Sequence, residues 1–170
     1  YGPTRGAAAK ILAVFIIATM LYWSGMLLMS LMSFGGMGTG GAFASIQTES
    51  PYSMYGLNFL ERYLLILLSG YVACLFSAGM TLLLFVKTKS AISAMSISFL
   101  LFAGLPLLAG NDAFESFRML TPDRLFHVQD NMNNPCVYQF GTIVCSRVTL
   151  LIALYSFLLI PTVVLSYRGF

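Results

Sequence analysis

Four long apolar runs occupy most of the chain, and none of them has an acidic or basic side chain near its centre. They cover residues 11–34, 63–86, 90–109 and 143–167. A helix needs about 20 residues to cross the hydrocarbon core of a bilayer, so each run is long enough to span it. Backbone amides must be paired internally in lipid, and the runs lack the period-2 alternation of barrel strands. The sequence therefore predicts an all-α, polytopic helical membrane protein with four transmembrane helices.

Composition supports this interpretation. The 170 residues are 58% hydrophobic and 9% charged, whereas soluble domains carry about 25% charged residues. Internal repeats, low-complexity tracts and linkers are absent from the sequence, so we expect residues 1–170 to form a single transmembrane domain.

The first run is too long for the hydrophobic region of a signal peptide and lacks a small-residue cleavage site. Because the chain opens at Tyr1 rather than at Met, we expect it to be a fragment of a longer protein.

The charged residues between the runs segregate by sign. Five basic residues lie in one set of alternate gaps and give that face +5, namely Arg5, Lys10, Lys87, Lys89 and Arg168. The other gaps hold four arginines and all six acids, which gives −2; the acids are Glu49, Glu61, Asp112, Glu115, Asp123 and Asp130. Basic residues are enriched in short cytoplasmic loops. The sequence therefore predicts a multi-pass protein of the cell membrane with both termini of this chain in the cytoplasm.

The connecting segments differ in composition. Residues 34–41 contain five glycines and predict a flexible loop; they lack the Gly-Lys-Ser/Thr ending of a phosphate-binding loop. Residues 87–89 are too few for anything except a tight turn between two helices. The polar segment 111–141 lies on the outer side and predicts two short amphipathic helices at the membrane surface. In the second of these, Thr121-Pro122-Asp123 matches an N-cap, a proline at the first position and an acid in the first turn.

The third run begins with alternating small residues. Ser90, Ala94 and Ser98 recur at every fourth position and form one stripe on a helix. Small residues allow helix backbones to approach closely in lipid, so we expect this stripe to face another helix. The alternative is a polar-lined helix with no special contact.

Few residues point to covalent or metal chemistry. Cys136 and Cys145 both lie on the outer side, where a disulfide could form, unless Cys145 is already inside the last helix and the geometry is unfavourable. Cys74 is expected to pack within a span.

His127 is the single histidine and lacks partners at zinc-ligand spacing, so we expect an exposed surface residue and neither a metal nor a cofactor. Arg147 is expected to extend towards the lipid headgroups.

The segment that opens the chain carries a family resemblance. Residues 1–10 read Tyr-Gly-Pro-Thr-Arg-Gly-Ala-Ala-Ala-Lys, which resembles the "YGRTK…AK" segment that leads into the third span of the permease subunits of type-2 ABC transporters. The chain departs from that pattern at Pro3, where a basic residue is usual, and at Gly6, where another is common. The remaining layout is also similar, with a Gly-rich outer loop, a tight helical hairpin, a large outer loop and a last span ending near Tyr167-Arg168.

This resemblance implies a function and partners. Permeases of this family have six spans when complete and work as homo- or heterodimers with two cytoplasmic ATPase subunits, and this branch is typical of bacterial peptide and drug exporters. The residues that match the family's ATPase-facing segment are Tyr1, Gly2, Thr4, Arg5 and Lys10. The absence of charge at the span centres favours energy supplied by another polypeptide. We expect membrane lipid as a further partner, and no nucleic acid.

Two other classes of function were compared with this one. A membrane scaffold or immunity protein that binds a peptide or complex without transport would also have apolar spans and a basic face. An intramembrane enzyme needs a buried nucleophile, a metal site or a carboxylate pair, and the sequence has none of these patterns. We therefore expect a transport subunit that is not itself an enzyme, with the scaffold as the alternative.

Overall fold

The computed structural model describes residues 3–38, 40–46, 56–104, 120–133 and 136–170. These residues are mostly helical. The elements in chain order are α1 (Pro3–Met37), α2 (Phe59–Thr88), α3 (Ala91–Phe99) with a π-helical turn (Leu100–Gly104), a 3-10 helix (Pro122–Leu125), α4 (Val128–Asn133), strands β1 (Val137–Phe140) and β2 (Ile143–Ser146), and α5 (Arg147–Gly169). Three helices are long and apolar enough to cross a membrane, and they lie in α1, α2 and α5. The chain is therefore a helical membrane protein.

Specific capping residues set the limits of α2 and α3. The side chain of Asn58 accepts a hydrogen bond from the Glu61 amide at 2.8 Å, and the Glu61 carboxylate accepts one from the Asn58 amide at 2.9 Å. This reciprocal capping box satisfies two amides that would otherwise lack partners. Lys89 ends α2 in the left-handed conformation, with φ of 55°, and Ser90 then caps α3 through the Ser93 amide. The tight turn predicted at residues 87–89 is present.

The third predicted span is only partly described. It covers residues 90–109, and the structure gives a short apolar helix from Ala91 to Gly104. Residues 105–109 lie outside the described part of the chain, as do residues 111–119, where the first of the two short outer helices was expected. Of the four predicted spans, three therefore correspond to helices long enough to cross a membrane.

The start of the last span was predicted wrongly. Residues 143–146 form β2, which pairs antiparallel with β1 from Val137↔Ser146 to Phe140↔Ile143. Gly141 has φ of 62° in the connecting turn, a conformation that suits glycine. Aromatic and β-branched residues favour strands, and a short apolar run cannot be assigned to strand or helix by periodicity alone. The all-α expectation therefore fails for this hairpin, and the helix begins only at Arg147.

Helix α2 lies between α1 and α5. It runs parallel to α5, because Phe76 packs against Tyr155 with ring centroids 4.8 Å apart and Gly79 lies beside Thr162 further along both helices. It runs antiparallel to α1, as shown by the hydrogen bonds from Thr19 to Tyr71 and from Ser30 to Tyr63. Buried residues of α2, α5 and the 3-10 helix form the largest core cluster: Ala73, Phe76, Leu125, Leu151 and Tyr155.

These helix directions collect the charges at opposite ends of the bundle. One end, called here the lysine end, carries Lys10, Lys87, Lys89 and Arg168. The other, the acidic end, carries all the acids that the structure describes, namely Glu61, Asp123 and Asp130, together with Arg62, Arg124 and Arg147. The sign segregation in the sequence is thus a segregation in space.

Helix α1 is the most exposed of the three long helices. Only 6% of its most apolar window is buried within the chain, against 28% for α2. Large apolar side chains stand exposed along its whole length, including Leu12, Ile16, Met20, Leu27 and Met32. Since such a surface would be unfavourable in water, α1 is a surface for lipid or for another apolar helix.

Candidate functional site

The segment at residues 120–133, called here the cap, is inserted between α2 and α5 at the acidic end. Thr121 occupies the N-cap position of its 3-10 helix and Pro122 the first position, as predicted. The sequence placed Leu125, Phe126 and Val128 in one short helix, but in the structure Leu125 ends the 3-10 helix, Phe126 lies in the following turn and Val128 begins α4. Leu125 and Val128 are almost fully buried, whereas Phe126 is exposed.

Three apolar side chains anchor the cap. Leu125 enters the main core cluster, and Val128 and Met132 pack against Val148 at the start of α5. Each of these side chains is at most 2% exposed to solvent. Burial of such a side chain contributes about 1.5–3 kcal/mol relative to exposure to water. The cap is therefore packed into the bundle, which differs from the helices lying on the membrane surface that the sequence predicted.

Two hydroxyl groups hold the backbone of the cap. Ser69 of α2 is fully buried and donates to the Leu125 carbonyl at 2.7 Å, and Tyr155 of α5 donates to the Leu120 carbonyl at 2.7 Å. Ser69 lies ten residues after the first residue of α2, or about 15 Å along the helix. Irregular backbone at such depth requires partners inside the protein, because lipid offers none. These two donors supply them.

A polar chain links the cap to the first residue of α5. Arg147 is buried and its Nη1 donates to the side-chain oxygen of Asn131 at 3.3 Å. Asn131, itself 1% exposed, donates in turn to the Arg124 carbonyl at 2.9 Å. The expected extension of Arg147 towards lipid headgroups is therefore wrong, because its guanidinium group lies beneath the cap. Buried charge is costly without such partners, so this chain fixes the position of α4 over α5.

A second polar contact region joins α1 to α2. The hydroxyls of Thr19 and Tyr71 lie 3.1 Å apart, and Tyr22 donates to the Leu67 carbonyl at 2.6 Å. Gly70 makes room for Tyr22, because a Cβ atom at Gly70 would lie 2.7 Å from the Tyr22 hydroxyl oxygen. Interhelical hydrogen bonds of this kind stabilise helix pairs in lipid. They attach the otherwise exposed α1 to the rest of the bundle.

Of the residues proposed to contact an ATPase, those that the structure describes lie at the lysine end. Tyr1 and Gly2 are outside the described residues, and Thr4 and Arg5 are in the first turns of α1. Lys10 is exposed, with its ammonium nitrogen 5.3 Å from the centroid of the Phe170 ring. The structure thus brings the start of α1 beside the end of α5, and an ATPase contact there remains a prediction.

The small-residue stripe of α3 faces α2. Ala94 is 1% exposed, and the Ser98 hydroxyl lies 3.0 Å from the hydroxyl of Thr81 on α2. Ser90 caps the helix and is half-buried. Close approach of α2 and α3 at Ala94 is the arrangement that small residues permit.

Cys136 and Cys145 are free thiols in the structure. Cys145 pairs with Tyr138, and the Cys136 carbonyl accepts a hydrogen bond from the Arg147 amide. The cysteines therefore occupy diagonal positions on one face of the hairpin. Diagonal neighbours are about 7–8 Å apart, beyond the Cα separation of about 4.4–6.8 Å that a disulfide spans. A bridge would require movement of the hairpin backbone.

Metal-ligating side chains do not come together in the described part of the chain, where three or more His, Cys, Asp or Glu residues nowhere form a group that could hold an ion. His127 is exposed, as predicted, and one ring nitrogen lies 3.1 Å from the Asp123 carbonyl oxygen. The acidic end is thus closed by the cap, which is packed and hydrogen-bonded between α2 and α5.

Family models, curated proteins and solved structures were all compared with this chain, and none of them matches it. The functional argument therefore depends on the residues and on their geometry. Sequence reasoning did not identify Ser69, Tyr155 or Asn131. Ser69 and Tyr155 are polar residues inside apolar runs, which is a detectable signal, but their partners lie 56 and 35 positions away along the chain.

Proposed function

We propose that the chain is the permease subunit of an ATP-driven exporter, with substrate passing at the interface of two permease halves and energy supplied by a separate ATPase. The observation that carries the proposal is the position of the opening segment. Its residues resemble the ATPase-facing segment of type-2 ABC permeases, and they lead directly into α1 at the end where Lys87, Lys89 and Arg168 also gather.

The orientation follows from the same charges. The lysine end faces the cytoplasm, since basic residues near helix ends are retained there. Antiparallel packing of α1 against α2 and parallel packing of α2 with α5 support both described termini lying on that side. The cap and the β-hairpin then lie on the outer side of the cell membrane.

A second permease half covers α1 in this proposal. The exposed apolar surface of α1 supports it, because the few polar contacts with α2 leave most of the helix unburied within the chain. Helix pairs in lipid associate through packing and polar contacts rather than through water exclusion. Substrate would pass along this interface.

The cap acts as an outer gate in this proposal. Its three apolar anchors and two hydroxyl donors close the space between α2 and α5 at the end away from the lysines. ATP binding to the ATPase subunit at the lysine end would favour a second packing of the helices, in which the cap is displaced. Switching between two discrete packings is how small changes at one site are transmitted to another.

ATPase association provides the central test. The full-length protein, purified with its native partners and placed in liposomes, is expected to retain an ATPase and to support ATP hydrolysis. Arg5→Glu should reduce ATPase co-purification at least several-fold, whereas the matched charge reversal Arg168→Glu, at the same end but outside the opening segment, should not. If the protein is stable but no ATPase co-purifies and no ATP hydrolysis is stimulated, the exporter proposal is wrong and the non-transport scaffold is favoured.

Orientation is tested separately with single cysteines in a cysteine-free background. His127→Cys in the cap and Lys87→Cys at the lysine end both place the thiol at an exposed position. A membrane-impermeant thiol reagent added to intact cells should label position 127, and position 87 only after permeabilisation. Labelling with the reverse pattern would place the lysine end outside and remove the proposed ATPase contact.

A further inference from the structure

An apolar groove opens between α1, α2 and α3 towards the lysine end. It encloses about 570 Å³. Its walls include Val14, Ala18 and Leu21 from α1, Phe85 from α2 and Met95 from α3. Apolar side chains make up most of the walls, so the groove is suited to a hydrocarbon chain.

Two lysines contact the last two residues of the chain, Gly169 and Phe170, at the end of the groove that Phe170 lines. Lys10 belongs to the groove wall, and its nitrogen lies 5.3 Å from the Phe170 ring centroid. Lys89, in the turn between α2 and α3, reaches the neighbouring Gly169 carbonyl at 3.4 Å. The two cations thus approach adjacent residues, Lys10 from α1 and Lys89 from the turn between α2 and α3. Together they form a local positive site at one end of an apolar path.

The side-chain carboxylates that the structure describes lie far from this site. The acids among the described residues are at the acidic end, and Glu61 is separated from Lys87 by 26 residues of α2, or about 40 Å. Described carboxylates therefore leave the charge of Lys10 and Lys89 uncompensated. An anionic group from outside the chain would complement it.

The length of the groove restricts the ligand further. From Lys10 to Leu21, both of which line it, α1 rises about 16 Å. A ligand must therefore combine a negative head with a long apolar chain. Glycerophospholipids with an anionic headgroup have this chemistry, and they are present wherever an apolar helix bundle is inserted in a bilayer.

We propose that this groove binds one anionic glycerophospholipid, with its phosphate at Lys10 and Lys89 and one acyl chain along α1 between α2 and α3. The bound chain fills the space between α1 and α3 and fixes the position of α1. The proposal does not depend on transport, since lipid binding can be measured whether or not the chain works with an ATPase.

Native mass spectrometry of the full chain in a non-ionic detergent provides the test. Phosphatidylglycerol is added in one arm and phosphatidylcholine with the same acyl chains in the other. Since each basic residue at a membrane surface strengthens binding of anionic lipid about fivefold, phosphatidylglycerol should bind more than tenfold more tightly. Equal retention of the two lipids would overturn the proposal, because it would show only general coating by lipid.

Variants locate the head of the lipid. Lys10→Gln is expected to weaken phosphatidylglycerol binding about fivefold and to leave phosphatidylcholine binding unchanged. Lys87→Gln is the matched control, because Lys87 is exposed at the same end but neither lines the groove, as Lys10 does, nor bonds to Gly169, as Lys89 does. Equal losses in the two variants would indicate unspecific attraction to the lysine end and would contradict the site.

Filling the groove tests the position of the acyl chain. Ala78→Phe inserts a ring into the groove and should abolish phosphatidylglycerol binding; Ala91→Phe, at an exposed wall position, serves the same purpose should the first variant fail to fold. Unchanged binding in a folded variant would refute the groove as the site. Glycerol 3-phosphate should not displace the lipid, and displacement at equal concentration would show a site for phosphate alone.

Discussion

The contact between Tyr22 and Gly70 allows a specific prediction. Whether Gly70→Ala lowers or raises the free energy of unfolding should depend on the hydroxyl oxygen of Tyr22. A Cβ atom at Gly70 would lie 2.7 Å from the Tyr22 hydroxyl oxygen but 3.5 Å from the nearest ring carbons. The first distance is a clash and the second is ordinary contact. Gly70→Ala must therefore displace the hydroxyl group and break its 2.6 Å hydrogen bond to the Leu67 carbonyl.

The magnitude follows from three terms. Alanine in a helix interior is favoured over glycine by about 1 kcal/mol. Loss of the hydrogen bond costs about 1 kcal/mol, and overpacking at the helix interface costs about 2 kcal/mol. Gly70→Ala should therefore lower the free energy of unfolding by about 2 kcal/mol. In a Tyr22→Phe background the clash is absent, and the same substitution should raise it by about 1 kcal/mol.

Unfolding by SDS in mixed micelles would measure both values in a double-mutant cycle. The expected coupling energy between positions 22 and 70 is about 3 kcal/mol, at the upper end of values for contacting residues. Gly25→Ala is the control, because nothing lies within 4 Å of a Cβ atom there and only the helix-propensity gain remains. A loss of stability that is the same with tyrosine and with phenylalanine at position 22 would refute the argument from close packing.

Three further predictions concern the cap, the α2–α3 turn and the hairpin. Tyr155→Phe removes the hydrogen bond to the Leu120 carbonyl, and hydrogen exchange of the cap amides should accelerate about fivefold, corresponding to about 1 kcal/mol. Lys89→Gly relieves a left-handed conformation at φ of 55° and should raise the free energy of unfolding by about 1 kcal/mol. Cys136 and Cys145 should both react with a thiol reagent in the folded protein, because both are free and only half-buried.

Each of these has a matched control. Tyr167→Phe alters an exposed tyrosine of the same helix and should leave cap exchange unchanged. Lys87→Gly lies inside the helix and should destabilise it by about 1 kcal/mol, opposite in sign to Lys89→Gly. Cys74, within α2, should react more slowly than the two hairpin thiols. Absence of reaction at both hairpin cysteines until a reductant is added would establish the disulfide that the sequence allows.

The three long apolar helices and the turn after α2 were predictable because they depend on local properties. Apolar length alone predicts the helices that became α1, α2 and α5, since a span is defined by the thickness of the bilayer. The short connector between α2 and α3 likewise permits only a turn. Thr121 and Pro122 were placed correctly at the start of a short helix because the fixed φ of proline suits the first helical position.

The β-hairpin was not predictable in the same way. Residues 143–146 are as apolar as a span, and their pairing with residues 137–140 depends on a turn at Gly141 and on the start of α5 that follows. A four-residue apolar run is too short for its period to be recognised. The helix start was therefore placed four residues too early.

The sequence by itself determined that this chain is a helical membrane protein with charges of opposite sign at alternate connectors. Those properties follow from composition and from spacing along the chain. Only the tertiary structure decided where Ser69, Tyr155 and Arg147 act, because each bonds to a cap residue distant in sequence. It also decided that Lys10 lies beside Phe170 and Lys89 beside Gly169, at one end of one groove. Contacts between helices depend on their relative direction and rotation, which a single chain's periodicity leaves open.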